Sequence, residues 1–189
     1  MLRFACESDT AALLSIYAQY IQTPVTFETV LPSEQDFCSR IAAVSSFYPY
    51  LVAEDAGAAV GYAYAHRQMD RAAYGWNAEL SVYLAPSACS RGLGKKLYGA
   101  LFEILRLQGV RTVYGGVTVP NARSEALHVS CGFRLIGVYQ NTGFKCGAWH
   151  NVAWFEKQIA PYDTDPVPPV GISMLDAAAV RNILAKYSL

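Results

Sequence analysis

Apolar and polar positions repeat along the chain with two different periods, and each period predicts one kind of element. Short runs rich in Val, Tyr and Leu, bounded by turn residues, predict seven strands. They lie at residues 2–6, 50–53, 58–66, 73–84, 113–119, 133–140 and 152–158. Apolar residues at helical spacing predict helices at 9–20, 33–44, 92–108 and 121–131. Residues 141–151 form a long connection between the last two strands.

The order of these elements, β-α-α-β-β-β-α-β-α-β-β, predicts the fold class. It is typical of an α/β domain of the layered α+β type, with a mostly antiparallel central sheet of about seven strands and about four flanking helices. After Pro161 the composition changes, since the prolines at 161, 166, 168 and 169 cannot enter the interior of a sheet. We therefore expect one domain over 1–160. The C-terminal extension, 161–189, is predicted to be a Pro-rich linker followed by a terminal helix near 174–187.

Composition narrows the classes of function. Of the 189 residues, 53% are hydrophobic and 16% are charged, which supplies a core and excludes a disordered or coiled-coil chain. Fifteen basic and fifteen acidic residues leave no surplus of cations, so we expect no nucleic-acid partner. No apolar run approaches the roughly 18 residues of a membrane span, and we expect neither a membrane association nor a signal peptide. Five cysteines without a CxxC pair indicate a reducing cytoplasm and no metal site.

One segment combines a strand, a glycine-containing loop and the start of a helix. The strand ends at Pro86, and Gly92 and Gly94 open the following helix. Two glycines let backbone N–H groups point inward, and the helix start adds a positive dipole, which together favour binding of a diphosphate. A tight turn that requires glycine explains this element about as well. Because neither GxxxxGK[ST] nor GxGxxG is present, an NTPase or a dinucleotide-binding protein is disfavoured.

The whole order of motifs resembles the GNAT superfamily of N-acetyltransferases, whose cofactor loop reads [QR]-x-x-G-x-[GA]. Within it, the chain is similar to the phosphinothricin acetyltransferase group over roughly residues 1–160. The matching pieces include Thr26-Phe27-Glu28, Gly61-Tyr62-Ala63-Tyr64-Ala65, Arg71-Ala72-Ala73-Tyr74, Glu79-Leu80-Ser81-Val82-Tyr83-Leu84, Gly92-Leu93-Gly94, Pro120-Asn121, Leu127-His128 and Gly143-Phe144-Lys145.

The resemblance implies acetyl-CoA as cosubstrate and assigns residues to it. An N–H of the strand over 82–84 would face the thioester oxygen and stabilise the oxyanion, while the strand edge pairs with the pantetheine arm. The implied cofactor-binding residues are Val82, Tyr83, Leu84, Ser90, Arg91, Gly92, Leu93, Gly94, Lys95, Asn121 and Ser124. Read without the family, Val82 and Leu84 are ordinary core-strand residues and Asn121 is a helix cap.

Glu79 and His128 are the implied catalytic residues. An amine with a pKa near 10 must lose a proton before it attacks a thioester, and a carboxylate can accept that proton. Burial beside Trp76 and Tyr83 would raise the pKa of Glu79 toward neutrality; the alternative is a solvent-facing strand residue. His128 would reprotonate the thiolate, although Tyr98 or another nearby tyrosine would serve equally, and a structural histidine is the alternative.

Phe27, Arg71 and Tyr74 match positions that line the amino-acid pocket in the group. An arginine can hold a carboxylate or phosphinate through paired N–H donors. The alternative is that Arg71 is a solvated loop charge and Phe27 a loop anchor. Lys145 is either a second anion contact or a surface residue.

The resemblance thus predicts a cytoplasmic, homodimeric N-acetyltransferase that acetylates the α-amine of phosphinothricin, methionine sulfoximine, methionine sulfone or a similar small molecule. Three positions depart from the group: Cys89 replaces the Gln or Arg of the loop, Val129 a Glu and Asn151 an Asp. Two other functions remain open. One is acetylation of a polyamine, an aminoglycoside or a protein N-terminus; the other is a non-catalytic module that binds acetyl-CoA.

Overall fold

The computed structural model describes residues 1–188, which form one seven-stranded sheet in the order β1-β2-β3-β4-β5-β7-β6. The strands are β1 (Leu2–Phe4), β2 (Tyr50–Asp55), β3 (Ala58–Arg67), β4 (Asn77–Leu84), β5 (Thr112–Val119), β6 (Arg134–Lys145) and β7 (Ala148–Gln158). Neighbouring strands are antiparallel except β4 and β5, which are parallel. The predicted fold class, a mostly antiparallel sheet of about seven strands in an α+β arrangement, is confirmed.

Within residues 1–188, five helices cover the two faces of the sheet. They are α1 (Thr10–Ala18), α2 (Glu34–Ser45), α3 (Leu93–Gln108), α4 (Ala122–Ser130) and α5 (Ala177–Tyr187). Side chains of Ser33, Asn121 and Asp176 accept backbone N–H groups and begin α2, α4 and α5. Gly109, with φ 99°, ends α3. The fifth helix is the one predicted near 174–187.

Successive side chains of a strand point to opposite faces of the sheet, and each face packs into its own hydrophobic core. Ala63 and Ala65 of β3 face α3, whereas Tyr62 of the same strand packs with α1 and α2. In β4, Ala78 and Leu80 likewise belong to the α3 side. The odd-numbered residues of β4, including Glu79, therefore face the α1–α2 side of the sheet.

Two predicted boundaries are wrong. The strand expected over 73–84 begins only at Asn77, because Ala72–Tyr74 forms a 3-10 turn closed by the Gly75 N–H on the Ala72 carbonyl. The connection expected over 141–151 is mostly strand: β6 and β7 continue to a tight turn at Cys146 and Gly147, both with positive φ. A register shift between Tyr139 and Gly143 absorbs the extra residues of β6.

The segment after Pro161 packs back onto the sheet. Asp163 pairs with Arg111 at 2.6 Å, and the Val167 carbonyl accepts a hydrogen bond from the Trp76 indole at 2.9 Å. Helix α5 then lies along α3, where the Tyr187 ring covers Gly99 so closely that a Cβ there would lie 2.3 Å from it. The Tyr187 hydroxyl also donates to Glu103. The tail thus supports the start of β4 and the outer side of α3.

Candidate active site

The sheet opens between its two parallel strands. β4 pairs with β5 only from Asn77 to Glu79, whereas β3 stays paired with β4 as far as Leu84. β5 instead pairs along its whole length with β7. Beyond Glu79 the facing edges of β4 and β5 therefore diverge and leave a V-shaped cleft. The backbone groups along the upper part of β4 can pair there with an extended ligand.

Glu79 lies at the apex of this cleft. A Cβ on Gly116 of β5 would lie 3.7 Å from Glu79 Oε1 and 3.5 Å from the Trp154 ring, so Gly116 lies next to both side chains. Burial raises the pKa of the half-buried Glu79 carboxyl above its ordinary value, and the charge of His66 offsets part of that shift. Among residues 1–188 no side chain hydrogen-bonds to this carboxylate. It is therefore free to accept a proton.

The side chain of Tyr20 already occupies part of the free edge of β4. The Tyr20 hydroxyl donates to the Leu84 carbonyl at 2.6 Å, on the edge that faces away from β3. Because backbone groups two residues apart point to the same strand edge, those of Val82 face the cleft as well. Tyr83 points its side chain to the α1–α2 face, where its ring packs against Tyr20. Of the predicted pantetheine-binding residues, Val82 thus presents the accessible backbone groups, and those of Leu84 are already in contact with Tyr20.

The glycine-containing loop adopts a conformation suited to an anion. Ser90 and Gly92 both have left-handed backbones, with φ 60° and 78°. Among the described residues no side chain caps the start of α3, which leaves the backbone N–H groups of its first turn available. Arg91 pairs with Asp55 at 3.0 Å on the surface, and Lys95 is exposed. The Leu93 side chain is buried and Gly94 has no side chain, so these two residues can meet a diphosphate only through their backbones.

Asn121 and Ser124 form the start of α4. The Asn121 side chain accepts the Ser124 N–H at 3.2 Å, and the Asn121 N–H donates to Glu125 at 2.9 Å. This arrangement satisfies two orphan donors of the helix. Both predicted cofactor residues therefore also have a capping role.

His128 lies on the opposite face of the sheet from Glu79. Its ring sits over Gly115, whose neighbour Gly116 faces Glu79, and successive strand residues point to opposite faces. It packs against Phe133 and Phe155, and its Nδ1 lies 2.8 Å from the Ser124 carbonyl. Burial lowers its pKa. The structure does not bring the two predicted catalytic residues together, and the proton-transfer role of His128 stays a prediction.

The three predicted acceptor residues lie on two loops. Phe27, in the α1–α2 connection, covers Gly143 of β6 and lies 6.4 Å from the His150 ring. Arg71 and Tyr74 lie in the β3–β4 connection and are both exposed. Within residues 1–188, Arg71 makes no ion pair. Lys145, expected at the surface or on an anion, is instead buried and donates to the Thr26 carbonyl at 2.6 Å, which holds the loop that carries Phe27.

A cavity beside Glu79 was not predicted from the sequence. It lies between β2, β3 and the helices α1 and α2 and has a volume of about 280 Å³, and four of the nine residues that line it are tyrosines. His66, directly opposite Glu79 in the β3–β4 register, lies at its edge. The alternation Tyr62-x-Tyr64-x-His66 in β3 was the available signal, because a period of two puts these side chains on one face.

The described residues contain no group of three metal-ligating side chains close enough to hold a metal ion. Over the same residues, 1–188, no helix is both long and apolar enough to cross a membrane.

Comparisons with known proteins agree with this geometry. A family model described as an acetyltransferase (GNAT) domain matches residues 2–154. A phosphinothricin N-acetyltransferase of Streptomyces viridochromogenes is 34% identical, over 89% of this chain and 93% of that protein. An L-methionine sulfoximine/L-methionine sulfone acetyltransferase of Salmonella typhimurium is 28% identical, over 84% and 94%. The crystal structure of a phosphinothricin acetyltransferase from Sinorhizobium meliloti in complex with AcCoA has a TM-score of 0.85 at 33% identity, over 90% and 94%.

Proposed function

The chain belongs to the GNAT family and is an acetyl-CoA-dependent N-acetyltransferase, and on that premise we propose that it acetylates the α-amine of a small amino-acid-like acceptor. The amine attacks the thioester directly, with Glu79 as general base. The observation that carries this proposal is the free, half-buried carboxylate at the point where β4 and β5 part. Relatives named for phosphinothricin and for methionine sulfoximine support the acceptor class.

Glu79 suits a base that works near neutral pH. An acceptor amine is mostly protonated there, so attack requires a group that removes one proton. Burial raises the pKa of Glu79, which makes the carboxylate a stronger base than an exposed glutamate would be. Without a protein hydrogen bond to compete, the carboxylate can take the proton directly or through one water.

The residues around the cleft fit acetyl-CoA. Bound there, acetyl-CoA supplies the acetyl group as an activated thioester. The backbone of Val82 pairs with the pantetheine arm, and the first turn of α3 holds the diphosphate through its N–H groups. Cys89, at the position of the family's Gln or Arg, leaves this nest without one polar side chain, but backbone donors remain.

The acceptor lies on the α1–α2 face, opposite the cofactor helix. Phe27 bounds the site from the side of β6, while Arg71 holds the carboxylate of the acceptor through paired N–H donors. Tyr74, three residues along the same connection, lines the entrance. Asn151 has a local role, since its side chain accepts the Asn141 N–H at 2.8 Å and stabilises the register shift of β6. The neutral amide at 151 is therefore compatible with activity.

We also propose that the chain forms a homodimer through β6. This strand is the last of the sheet and has no partner on its outer edge among residues 1–188. Leu135 and Tyr139 are more than half exposed on it, as is Phe144 near its end. A long edge strand with exposed apolar side chains is a surface that proteins normally cover. A second copy of β6 supplies the matching edge.

Release of free thiol from acetyl-CoA tests the activity across a panel of amines. The panel contains phosphinothricin, methionine sulfone, alanine, other ordinary amino acids, spermidine, an aminoglycoside and a short peptide, with acetyl-CoA binding measured in parallel by calorimetry. Turnover restricted to the amino acids and their analogues is expected. Turnover of spermidine or the peptide alone would contradict the acceptor class, and binding without any turnover would contradict catalysis.

A further inference from the structure

The cavity beside Glu79, here called the tyrosine cavity, has a wall of stacked rings. Tyr50 of β2 lies 4.8 Å from Tyr64 and 5.7 Å from Tyr62 of β3, measured between ring centroids, with the planes within 17° of parallel. Tyr17 of α1 and Phe37 of α2 line it from the helical side. Its volume, about 280 Å³, is enough for an amino-acid side chain.

Two of these rings carry hydroxyls that have no hydrogen-bond partner among residues 1–188, and both hydroxyl oxygens keep some accessible surface. Tyr50 is 4% exposed and Tyr62 1% exposed, both line the cavity, and neither hydroxyl bonds to any of residues 1–188. Burial raises the pKa of both phenols well above the ordinary value, so they keep their protons and act as donors at neutral pH. A phenol whose ring is buried normally directs its hydroxyl to a hydrogen-bond partner. A ligand that accepts hydrogen bonds would provide one.

The charges at the cavity neutralise one another. Glu28 Oε1 lies 2.5 Å from Arg40 Nη1, and the Tyr17 hydroxyl donates to the other carboxylate oxygen of Glu28 at 2.9 Å. His66 at the far edge has its Nδ1 engaged with the Arg67 carbonyl. The charge of His66 acts on Glu79, and Glu28 is paired with Arg40, so a charged ligand group entering the cavity would lose its hydration without gaining a free counter-ion. The lining therefore favours a neutral acceptor of hydrogen bonds.

The tyrosine cavity is within reach of an amine held at Glu79. His66 and Glu79 are directly paired across β3 and β4, and Tyr64 is paired with Ser81 on the same face. Directly opposed side chains start about 5 Å apart. A side chain of methionine length spans such a gap, so a molecule with its amine at Glu79 can enter the cavity at His66 and extend along Tyr64 toward Tyr50 and Tyr62.

We propose that the tyrosine cavity holds the side-chain end of the acceptor amino acid and selects a neutral, hydrogen-bond-accepting group: a sulfone, a sulfoximine or a carboxamide. The inference rests on the proposed function and deepens it. The Tyr50 and Tyr62 hydroxyls donate to the oxygen atoms of that group, and the stacked rings pack against its methylene chain. An anionic phosphinate is the poorer ligand here.

Tyr50→Phe and Tyr62→Phe test the subsite, because each removes one hydroxyl and keeps the ring. Tyr48→Phe is the matched control, since Tyr48 is also buried, at 8% exposed, but belongs to the core on the α3 side. Rates are measured with methionine sulfone, phosphinothricin and alanine, whose methyl group does not reach the cavity. Each cavity variant should raise KM for methionine sulfone about 3- to 10-fold, the loss of one hydrogen bond. KM for alanine and for acetyl-CoA should not change.

Different results would contradict the side-chain subsite and the acetylation of amino acids itself. If the sulfone and alanine respond alike, or neither responds, the cavity is not the side-chain subsite. A wild-type preference for phosphinothricin over methionine sulfone would overturn the selection of a neutral group. Wild-type protein that acetylates no amino acid at all would overturn the proposed function, and the inference with it. Activity on alanine shows that each variant is folded.

Discussion

Replacing Glu79 by glutamine separates catalysis from folding. The substitution keeps the size of the side chain and its place beside Gly116 but removes the group that accepts the proton. General-base catalysis contributes about 100- to 10,000-fold, so kcat should fall by a factor in that range at neutral pH. Acetyl-CoA binding should stay nearly unchanged, because the cleft edge and the α3 nest are built from backbone groups.

The pH dependence gives the same prediction a second readout. Because burial raises the pKa of Glu79, the wild-type rate should fall with decreasing pH at a higher pH than an ordinary glutamate would cause. That limb should be absent from the Glu79→Gln profile. The raised pKa helps catalysis but lowers stability. A carboxyl whose pKa is raised in the folded state reduces the free energy of unfolding once pH exceeds its unfolded pKa. The variant should therefore be at least as stable as the wild type at pH 7.

The assay is thiol release at saturating acetyl-CoA from pH 5 to 9, with thermal unfolding of each protein alongside. Glu34→Gln, an exposed residue in the first turn of α2, is the control for loss of a negative charge. A fall in kcat of less than a few-fold, or an acid limb that persists in the variant, would remove Glu79 from the role of base. A large loss together with lower stability would instead indicate a structural role.

Three further substitutions have defined outcomes. Arg71→Ala should raise KM for an amino-acid acceptor about 10-fold and leave kcat unchanged, and an unaltered KM would mean that the acceptor carboxylate lies elsewhere. Lys145→Met removes a charged hydrogen bond to the buried Thr26 carbonyl; thermal unfolding should show a loss of about 2 kcal/mol and a Tm lower by about 4–8 °C. Leu135→Glu on β6 should convert a dimer to a monomer in light scattering, and a wild-type protein of monomer mass would contradict the proposed interface.

Local patterns were enough to predict most of the fold. The hydrophobic period of a strand or a helix can be read from consecutive residues, so the sequence predicts the order of the elements directly. Two boundaries were wrong because the deciding contacts are distant. Gly143 resembles a loop residue in sequence, yet it lies within β6 where the Phe27 ring requires the space. Residues 73–76 have strand composition, but β4 pairs with its neighbours only from Asn77 onward.

The sequence predicted those parts of the candidate site that lie within a short motif. It did not predict which side chains share a face of the sheet. Glu79 and the loop around Gly92 follow from the resemblance, since both depend on short, ordered stretches. The separation of His128 from Glu79 depends on Gly115 and Gly116 facing opposite ways, which requires the register of β5. The tyrosine cavity depends on how α1 and α2 sit above β3, and no local pattern specifies that distance.

The close approach of Gly99 and Tyr187 links two positions that are far apart in the chain. A methyl group at 99 would overlap the Tyr187 ring, and a smaller residue at 187 would leave a gap over α3 and release Glu103 from its hydroxyl partner. The residue at each position therefore limits which substitutions the other position tolerates. Across homologous sequences these two sites should covary: glycine where the C-terminal helix carries tyrosine, and bulkier residues where that helix carries a small side chain or is missing.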